Sequence, residues 1–363
     1  MSILTILSFI LTLAIYGLIC YYIGYNGWAW VKSTKLPRYK KTYIIFIISL
    51  SFSFIIGRLL PFQVIEILGG FWVAIVGYSL VLLPVANLFY LALKKKGVFW
   101  IGIVVLSIYL FIFVFGSINA WSPVVREYEV EIDKPSTQED VKILMVSDLH
   151  LGSLVGRGHL ERLVTIVDQE QPDIVLVPGD IIDDYVEPYV KKNMGEILGK
   201  VKAPLGVYAV LGNHDYYGDD MNPIINEMKK INIRVLQDEF ITINDAFTIV
   251  GRNDKTDKQR LTMSELFKAV DTSKPIILLD HQPYDLDVAR DQGVDIHLAG
   301  HTHRGQLFPA NLITDRIYEN DWGYLKKDTM HSFVSSGFGT WGPPLRLGSR
   351  SEVMVINVSF TGK

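Results

Sequence analysis

The sequence predicts a bundle of four transmembrane α-helices followed by an α/β domain built on a largely parallel sheet. Three observations predict it. Charge divides the chain: residues 1–125 hold nine Lys/Arg against one acidic residue, Glu66, while residues 126–363 hold 26 basic and 37 acidic residues and all eight histidines. Four long uncharged runs fill the first part, and short apolar strands alternate with helical patterns in the second. With 49% hydrophobic residues, the whole is too apolar for a soluble single domain. It also excludes a disordered chain and a nucleic-acid binder that relies on net positive charge. The sequence therefore divides into an anchor, 1–125, and a globular domain, 126–363.

The apolar runs extend from Ile3 to Tyr25, Thr42 to Leu60, Phe71 to Leu93 and Val98 to Ala120. Each reaches or approaches the roughly 20 residues that carry a helix across about 30 Å of hydrocarbon, where a helix satisfies its own backbone hydrogen bonds. Met1 to Val31 has no charged side chain and too long a run for a cleavable signal. Lys32, Lys35, Arg38, Lys40 and Lys41 occupy the first loop and Lys94 to Lys96 the third, whereas the loop around Pro61 to Gly70 has only Glu66. Basic loops stay cytoplasmic, so both termini face outward and the second domain is expected on the extracytoplasmic side of a cell membrane. Arg58 reads as a snorkelling interfacial residue, with a buried functional charge as the alternative. Pro84 reads as a tolerated kink. The only cysteine, Cys20, falls in the first helix, so the second domain has no internal disulfide.

In the second domain Glu127 to Ile132 alternates as a half-exposed strand. Strands follow at Val141–Val146, Ile174–Val177, Gly206–Leu211, Ile233–Leu236, Ile241–Ile243, Phe247–Val250, Pro275–Leu279, Ile296–Ala299, Ser332–Ser335 and Val353–Val358. Helical patterns lie near His159–Gln169, Val190–Leu198 and Asn222–Lys230. Such alternation implies a largely parallel sheet whose strands end at a common ligand-binding edge.

The polar motifs all follow strands. Asp148 and His150 leave the first at i and i+2, on one face. Gly179-Asp180 follows the next, with Asp183 and Asp184 close behind. Gly212-Asn213-His214-Asp215 comes after Leu211, offering an amide oxygen and an imidazole, with Asp215 expected to orient His214. Asp280-His281 and Gly300-His301-Thr302-His303-Arg304 complete the set. Imidazole is the commonest protein metal ligand, and mixed nitrogen and oxygen donors suit Mn, Fe or Zn. Seven ligands, Asp148, His150, Asp180, Asn213, His281, His301 and His303, would fill two four-ligand sites if one carboxylate is shared.

In this order the motifs D-x-H, G-D, G-N-H-D, H and G-H-T-H resemble the calcineurin-like metallophosphoesterase superfamily over about residues 141–305. Gly305-Gln306 and the glycine-rich stretch Ser335 to Arg346 resemble its membrane-associated branch, with Ser351-Glu352 where that branch usually has Pro-Glu. The resemblance implies an α/β/β/α sandwich and two divalent metal ions, with Mn first and Fe or Zn as alternatives. Asp148, His150, Asp180 and His303 would hold one ion. Asp180, Asn213, His281 and His301 would hold the other, with Asp180 bridging. His214 would contact the leaving group, and a hydroxide held between the ions would attack phosphorus.

The implied activity is hydrolysis of phosphomonoester, phosphodiester or pyrophosphate bonds in envelope or lipid-linked substrates. Anchoring to a lipid bilayer raises the local concentration of such substrates. The alternative from another class is a non-catalytic metal-containing membrane sensor or scaffold, although every motif position is filled. Arg304, beside His303, and Arg346 are candidates for contacting substrate phosphate. Asp183 and Asp184 are expected to orient metal-site groups or cap a helix. His297 and His331 read as strand packing, and His159 as a solvent-facing or capping residue.

Overall fold

A computed structural model describes residues 3–59, 63–218 and 221–362. The chain divides into two compact units, one of residues 1–116 with 342–344, the other of residues 117–341 with 345–363.

The first unit contains α1 (Ile3–Lys32), α2 (Lys40–Leu59), α3 (Gln63–Ala92) and most of α4 (Val98–Trp121). All four are long and apolar enough to cross a membrane. α1 runs beyond the expected Tyr25 and α3 starts inside the expected second loop, because Gln63 to Gly70 continues the helix. Polar side chains link the helices: Tyr16 donates to the Ser51 carbonyl at 2.6 Å, the Trp72 indole donates to Tyr16, and Asn87 donates to the Tyr22 hydroxyl. Such bonds tie apolar helices that have no hydrophobic drive to associate in lipid. The Arg58 side chain and residues 60–62 lie outside the described residues.

The second unit continues through β1 (Val124–Ile132), β2 (Asp140–Met145), α5 (Arg157–Glu170), β3 (Ile174–Pro178), α6 (Val186–Lys191), α7 (Gly195–Leu198), β4 (Val207–Val210), α8 (Asn213–Tyr217), α9 (Met221–Lys230) and β5 (Ile233–Val235). The second half comprises β6 (Glu239–Ile243), β7 (Phe247–Gly251), α10 (Met263–Leu266), β8 (Ile276–Leu279), α11 (Leu286–Asp291), β9 (Ile296–Ala299), α12 (Asn311–Ile317), β10 (Gly323–Lys327), β11 (Met330–Val334) and β12 (Glu352–Phe360).

Two six-stranded sheets form, in the orders β1-β12-β2-β3-β4-β5 and β10-β11-β9-β8-β7-β6. Most pairs are parallel; β12 on β2, β10 on β11 and β6 on β7 are antiparallel. The expected helix from Val190 to Leu198 is instead two short ones, α6 and α7, separated by a turn in which Asn193 has φ 50°.

Burial on both faces explains the apolar runs Ile143–Met145 of β2 and Ile174–Pro178 of β3. Ile143, Met145, Ile174 and Leu176 point into a core shared with Ile249, Ile277, Leu298 and Phe333 of the opposite sheet. Leu144, Val175 and Val177 point the other way, against Leu160 and Leu163 of α5 and Met228 of α9. A third cluster joins the outer face of the second sheet to α10 and α11 through Val250, Leu278, Met263 and Leu286. The layers are thus α/β/β/α, and the parallel strands of both sheets point their carboxyl ends toward one edge.

His297, in the middle of β9, is buried, with Nδ1 3.1 Å from the Ser332 hydroxyl. Burial, the largest influence, pushes its pKa down to about 4. An unfolded histidine titrates near 6.5, so between these values the unfolded chain binds a proton that the folded chain refuses. The stability this imidazole supports is therefore complete above about pH 6.5 and lost toward pH 4. In pH-dependent thermal melts of the detergent-solubilised protein, His297→Gln is expected to shrink the fall in Tm between pH 7.5 and 5. An unchanged fall would contradict the assignment.

Candidate metal centre

Five strand ends converge at that edge. β2, β3 and β4 of the first sheet deliver Asp148 and His150, Asp180, and Asn213 with His214; β8 and β9 of the second deliver His281, His301 and His303. Asp148, His150, Asp180, His301 and His303 all adopt positive φ, at 52°, 45°, 52°, 69° and 47°. Left-handed backbone disfavours side-chain-bearing residues by about 1–2 kcal/mol each, and such strain gathers where function fixes geometry. Hydrogen bonds hold the turns: the His301 amide donates to Asp148 Oδ1 at 2.9 Å, and the His214 amide donates to Asp180 Oδ1 at 2.9 Å. Two motif glycines are required by proximity. A Cβ on Gly300 would sit 2.1 Å from Asp148 Oδ2, and one on Gly212 would sit 2.2 Å from Asp180 Oδ1.

Three donor clusters result among the described residues, and one of them, His150, Asp183 and His214, shares His150 with the first of the other two. Asp148, His150 and His303 place one ligand atom each within 4.8 Å of one another, and Asp180, His281 and His301 do the same. In the first, His303 Nε2 lies 3.0 Å from His150 Nε2 and 3.3 Å from Asp148 Oδ1. In the second, His281 Nε2 lies 3.2 Å from both Asp180 Oδ2 and Asn213 Oδ1, and His301 Nδ1 lies 2.7 Å from Asn213 Oδ1. Asp180 Oδ2 is also 3.6 Å from His150 Nε2, so one carboxylate faces both clusters. His281 Nδ1 donates to the Pro178 carbonyl at 2.8 Å, which leaves Nε2 as the free donor atom. Facing imidazole nitrogens around buried carboxylates form a donor set that fits two divalent cations.

The electrostatics agree. Burial alone would raise the carboxyl pKa values of Asp148 and Asp180, yet the neighbouring His303 and His281 respectively hold both below the usual carboxylate range. Burial pushes His301 down to about 4 and His303 to about 3. Desolvation also disfavours the cationic form of His214, but its hydrogen bond to Asp184 and the charges of Asp180 and Asp183 outweigh it and raise its pKa to about 9. The surrounding carboxylates thus favour the protonated form of the His214 ring.

The group that orients His214 is Asp184, whose Oδ1 lies 2.6 Å from Nδ1. Asp183 Oδ1 lies 3.7 Å from the same atom and 3.5 Å from His150 Nδ1. This corrects the expectation for Asp215. Its fully buried carboxylate accepts the backbone amides of Ile181, Ile182 and Gly212 at 2.8–3.1 Å, and it rivets the turn after β4 to the loop after β3. Chain adjacency to His214 misled, because Asp215 lies in the first turn of α8 and points back across its N-terminus.

Arg346 also differs from expectation. It is completely buried, with Nη2 3.0 Å from His303 Nδ1 and further bonds to the Ser336 and Gly339 carbonyls and the Ser349 hydroxyl. Both of its terminal nitrogens bond inside the loop, while the buried Nε has no partner, and the side chain packs against the His303 ring instead of reaching substrate. Arg304 stacks its guanidinium 3.9 Å over the Trp322 ring. Glu352 closes the same loop, accepting the Ser336 amide at 2.7 Å, the Trp322 indole at 2.9 Å and the Arg126 guanidinium at 2.5 Å. His159 is buried, not solvent-facing: Nε2 lies 2.9 Å from the Phe338 carbonyl and its ring meets Trp121 edge-on. Sequence reasoning missed Tyr217, whose hydroxyl accepts from the Asn213 amide at 3.1 Å, and Trp341, whose ring centroid is 6.3 Å from that of His214. Tyr217 was findable as the residue one helical turn after Asn213; Trp341 left no local signal.

Residues 141–305 match the calcineurin-like phosphoesterase family. An uncharacterized metallophosphoesterase of Aquifex aeolicus is 34% identical over 247 residues, covering 66% of this chain and 92% of that protein. A transmembrane protein with metallophosphoesterase domain from Danio rerio is 32% identical over 257 residues, covering 66% of this chain and 58% of the fish protein. An uncharacterized metallophosphoesterase of Campylobacter jejuni is 33% identical over 274 residues, covering 72% and 70%.

If Arg346 holds the closed loop against His303, Arg346→Gln lowers metal retention, read as Mn retained per chain after dialysis against graded chelator. Arg304→Gln retains wild-type metal. Equal retention by both variants would contradict the bracing role.

Proposed function

The chain belongs to the calcineurin-like phosphoesterase family, and on that premise we propose that it is a membrane-anchored hydrolase of phosphate esters working with two divalent cations. The observation that carries the reading is the pair of donor clusters that share Asp180. Asp148, His150, Asp180 and His303 would hold one cation, and Asp180, Asn213, His281 and His301 the other, with Mn favoured and Fe or Zn as alternatives. When bound, such a pair supplies Lewis acidity to the phosphoryl oxygens and lowers the pKa of water.

The protein's own groups do the rest. His214 carries a proton held by Asp184 and delivers it to the departing ester oxygen. Loss of such a general acid typically lowers turnover 10²- to 10⁴-fold. The peptide amides of His301 and His214 hold both buried carboxylates in register.

Residues 1–125 serve as anchor and 126–363 as the catalytic part. Lysine and arginine in the first and third loops favour a cytoplasmic position for those loops, with the catalytic part outside and acting on envelope or lipid-linked phosphomonoesters, phosphodiesters or pyrophosphates. The Danio rerio relative, a transmembrane protein with metallophosphoesterase domain, supports a layout of membrane part plus catalytic part.

Purified in detergent and loaded with Mn, the wild type is expected to cleave a bis-aryl phosphodiester or an aryl monophosphate. Asp180→Asn abolishes this activity; His214→Ala and, to a smaller extent, Asp184→Asn reduce kcat while metal content stays at the wild-type level. No wild-type activity with any of the three metals, or full activity in Asp180→Asn, would sink the reading. For topology, protease added to intact cells is expected to clip the catalytic part, and full protection would place it inside.

A further inference from the structure

Exposed apolar side chains of the second unit concentrate in one segment. Phe308, Leu312, Ile313 and Ile317 are 49%, 57%, 60% and 56% exposed within ten residues, and α12 has no buried residue. The helix is held by its polar edge: the Thr314 hydroxyl donates to Asp321 Oδ2 at 2.6 Å, and Leu312, Ile313 and Ile317 project outward. Contiguous apolar surface of this kind marks contact with another apolar phase.

Its position indicates which phase. The last turn of α4 belongs to the second unit and is bonded to the segment that flanks α12. The Ser351 amide donates to the Asn119 carbonyl at 2.9 Å, and Asn119 Nδ2 donates to the Arg346 carbonyl at 3.3 Å. Next to Arg346, the Leu347 amide donates to the Gln306 carbonyl at 2.8 Å, and the Phe308 amide donates to the Leu347 carbonyl at 2.6 Å. Phe308 is therefore joined to the end of α4 through a single intervening segment, Arg346 and Leu347. α4 stays uncharged to its end at Trp121, a residue type favoured at bilayer interfaces.

We infer that Phe308 and α12 form a bilayer-docking edge, with Leu312, Ile313 and Ile317 seated at the boundary between headgroups and acyl chains. The inference rests on the reading that the four apolar helices cross a bilayer. It also specifies the substrate. Gln306, two residues before Phe308, donates to the Trp341 carbonyl at 2.9 Å, and Trp341, 43% exposed, neighbours His214. A docked edge holds the His214 side of the centre at headgroup level, where a phosphoester on a lipid is presented without leaving the membrane.

The test uses the full chain with Cys20→Ser and Ile313→Cys, labelled with nitrobenzoxadiazole and reconstituted in nanodiscs of phosphatidylcholine and phosphatidylglycerol. Val288→Cys on α11, 44% exposed, is the reference. The label at 313 is expected to shift to the blue, resist aqueous iodide and be quenched by doxyl-labelled lipid, while the label at 288 behaves in the opposite way. Iodide quenching equal at both positions overturns the proposal. Shielding at 313 from both quenchers also overturns it, since protein would then cover the face. This readout needs no catalysis, so its failure is separate from failure of the hydrolase reading. For the substrate claim, Leu312→Ser/Ile313→Ser is expected to slow hydrolysis of a vesicle-borne lipid phosphoester at least 10-fold and leave a soluble aryl diester unchanged. Equal slowing of both contradicts it.

Discussion

Two carboxylates without access to solvent, Asp148 and Asp180, dictate the construction of the second unit. An isolated buried carboxylate is strongly disfavoured unless charge or hydrogen bonds compensate it. Here the compensation comes from histidines on both sheets: His150 and His281 flank Asp180, and His303 flanks Asp148. The sheets must therefore meet at their carboxyl ends, which the shared core of Ile143, Leu176, Leu279 and Leu298 enforces from below. The positive-φ turns and the glycines at 212 and 300 follow, because only tight turns bring five strand ends within ligand distance of each other.

The loop after β11 completes the enclosure. Arg346 is a buried cation whose bonds to two carbonyls, a hydroxyl and His303 offset its desolvation, while Glu352 gathers an amide, an indole and a guanidinium at the loop's other end. The same loop bonds to the end of α4 through Asn119 and Ser351. Contact with one imidazole and with the last turn of α4 thus falls to one segment.

Much of this was legible in the sequence because burial leaves a direct imprint. Helices surrounded by lipid need uncharged runs, and strands buried on both faces read as unbroken Val, Ile and Leu; each ligand motif then follows such a strand. What was not legible depends on contacts between distant segments. α8, α11 and α12 have five to seven residues, too few for periodicity to emerge, and the insertion of β12 between β1 and β2 is a pairing that no local pattern encodes. Asp215 looked like the partner of His214 because it is adjacent, whereas Asp184 arrives through the fold from 30 residues away. Arg346 looked like a substrate ligand because charge normally faces water, and only the folded loop shows its two terminal nitrogens already bonded within it.

Anomalous X-ray diffraction at the manganese edge, on crystals of the Mn-loaded protein, addresses the central claim most directly. The account predicts two peaks about 3.5–4 Å apart, one among Asp148, His150 and His303, the other among Asn213, His281 and His301, with Asp180 between them. A single peak, or metal bound away from Asp180, would contradict it.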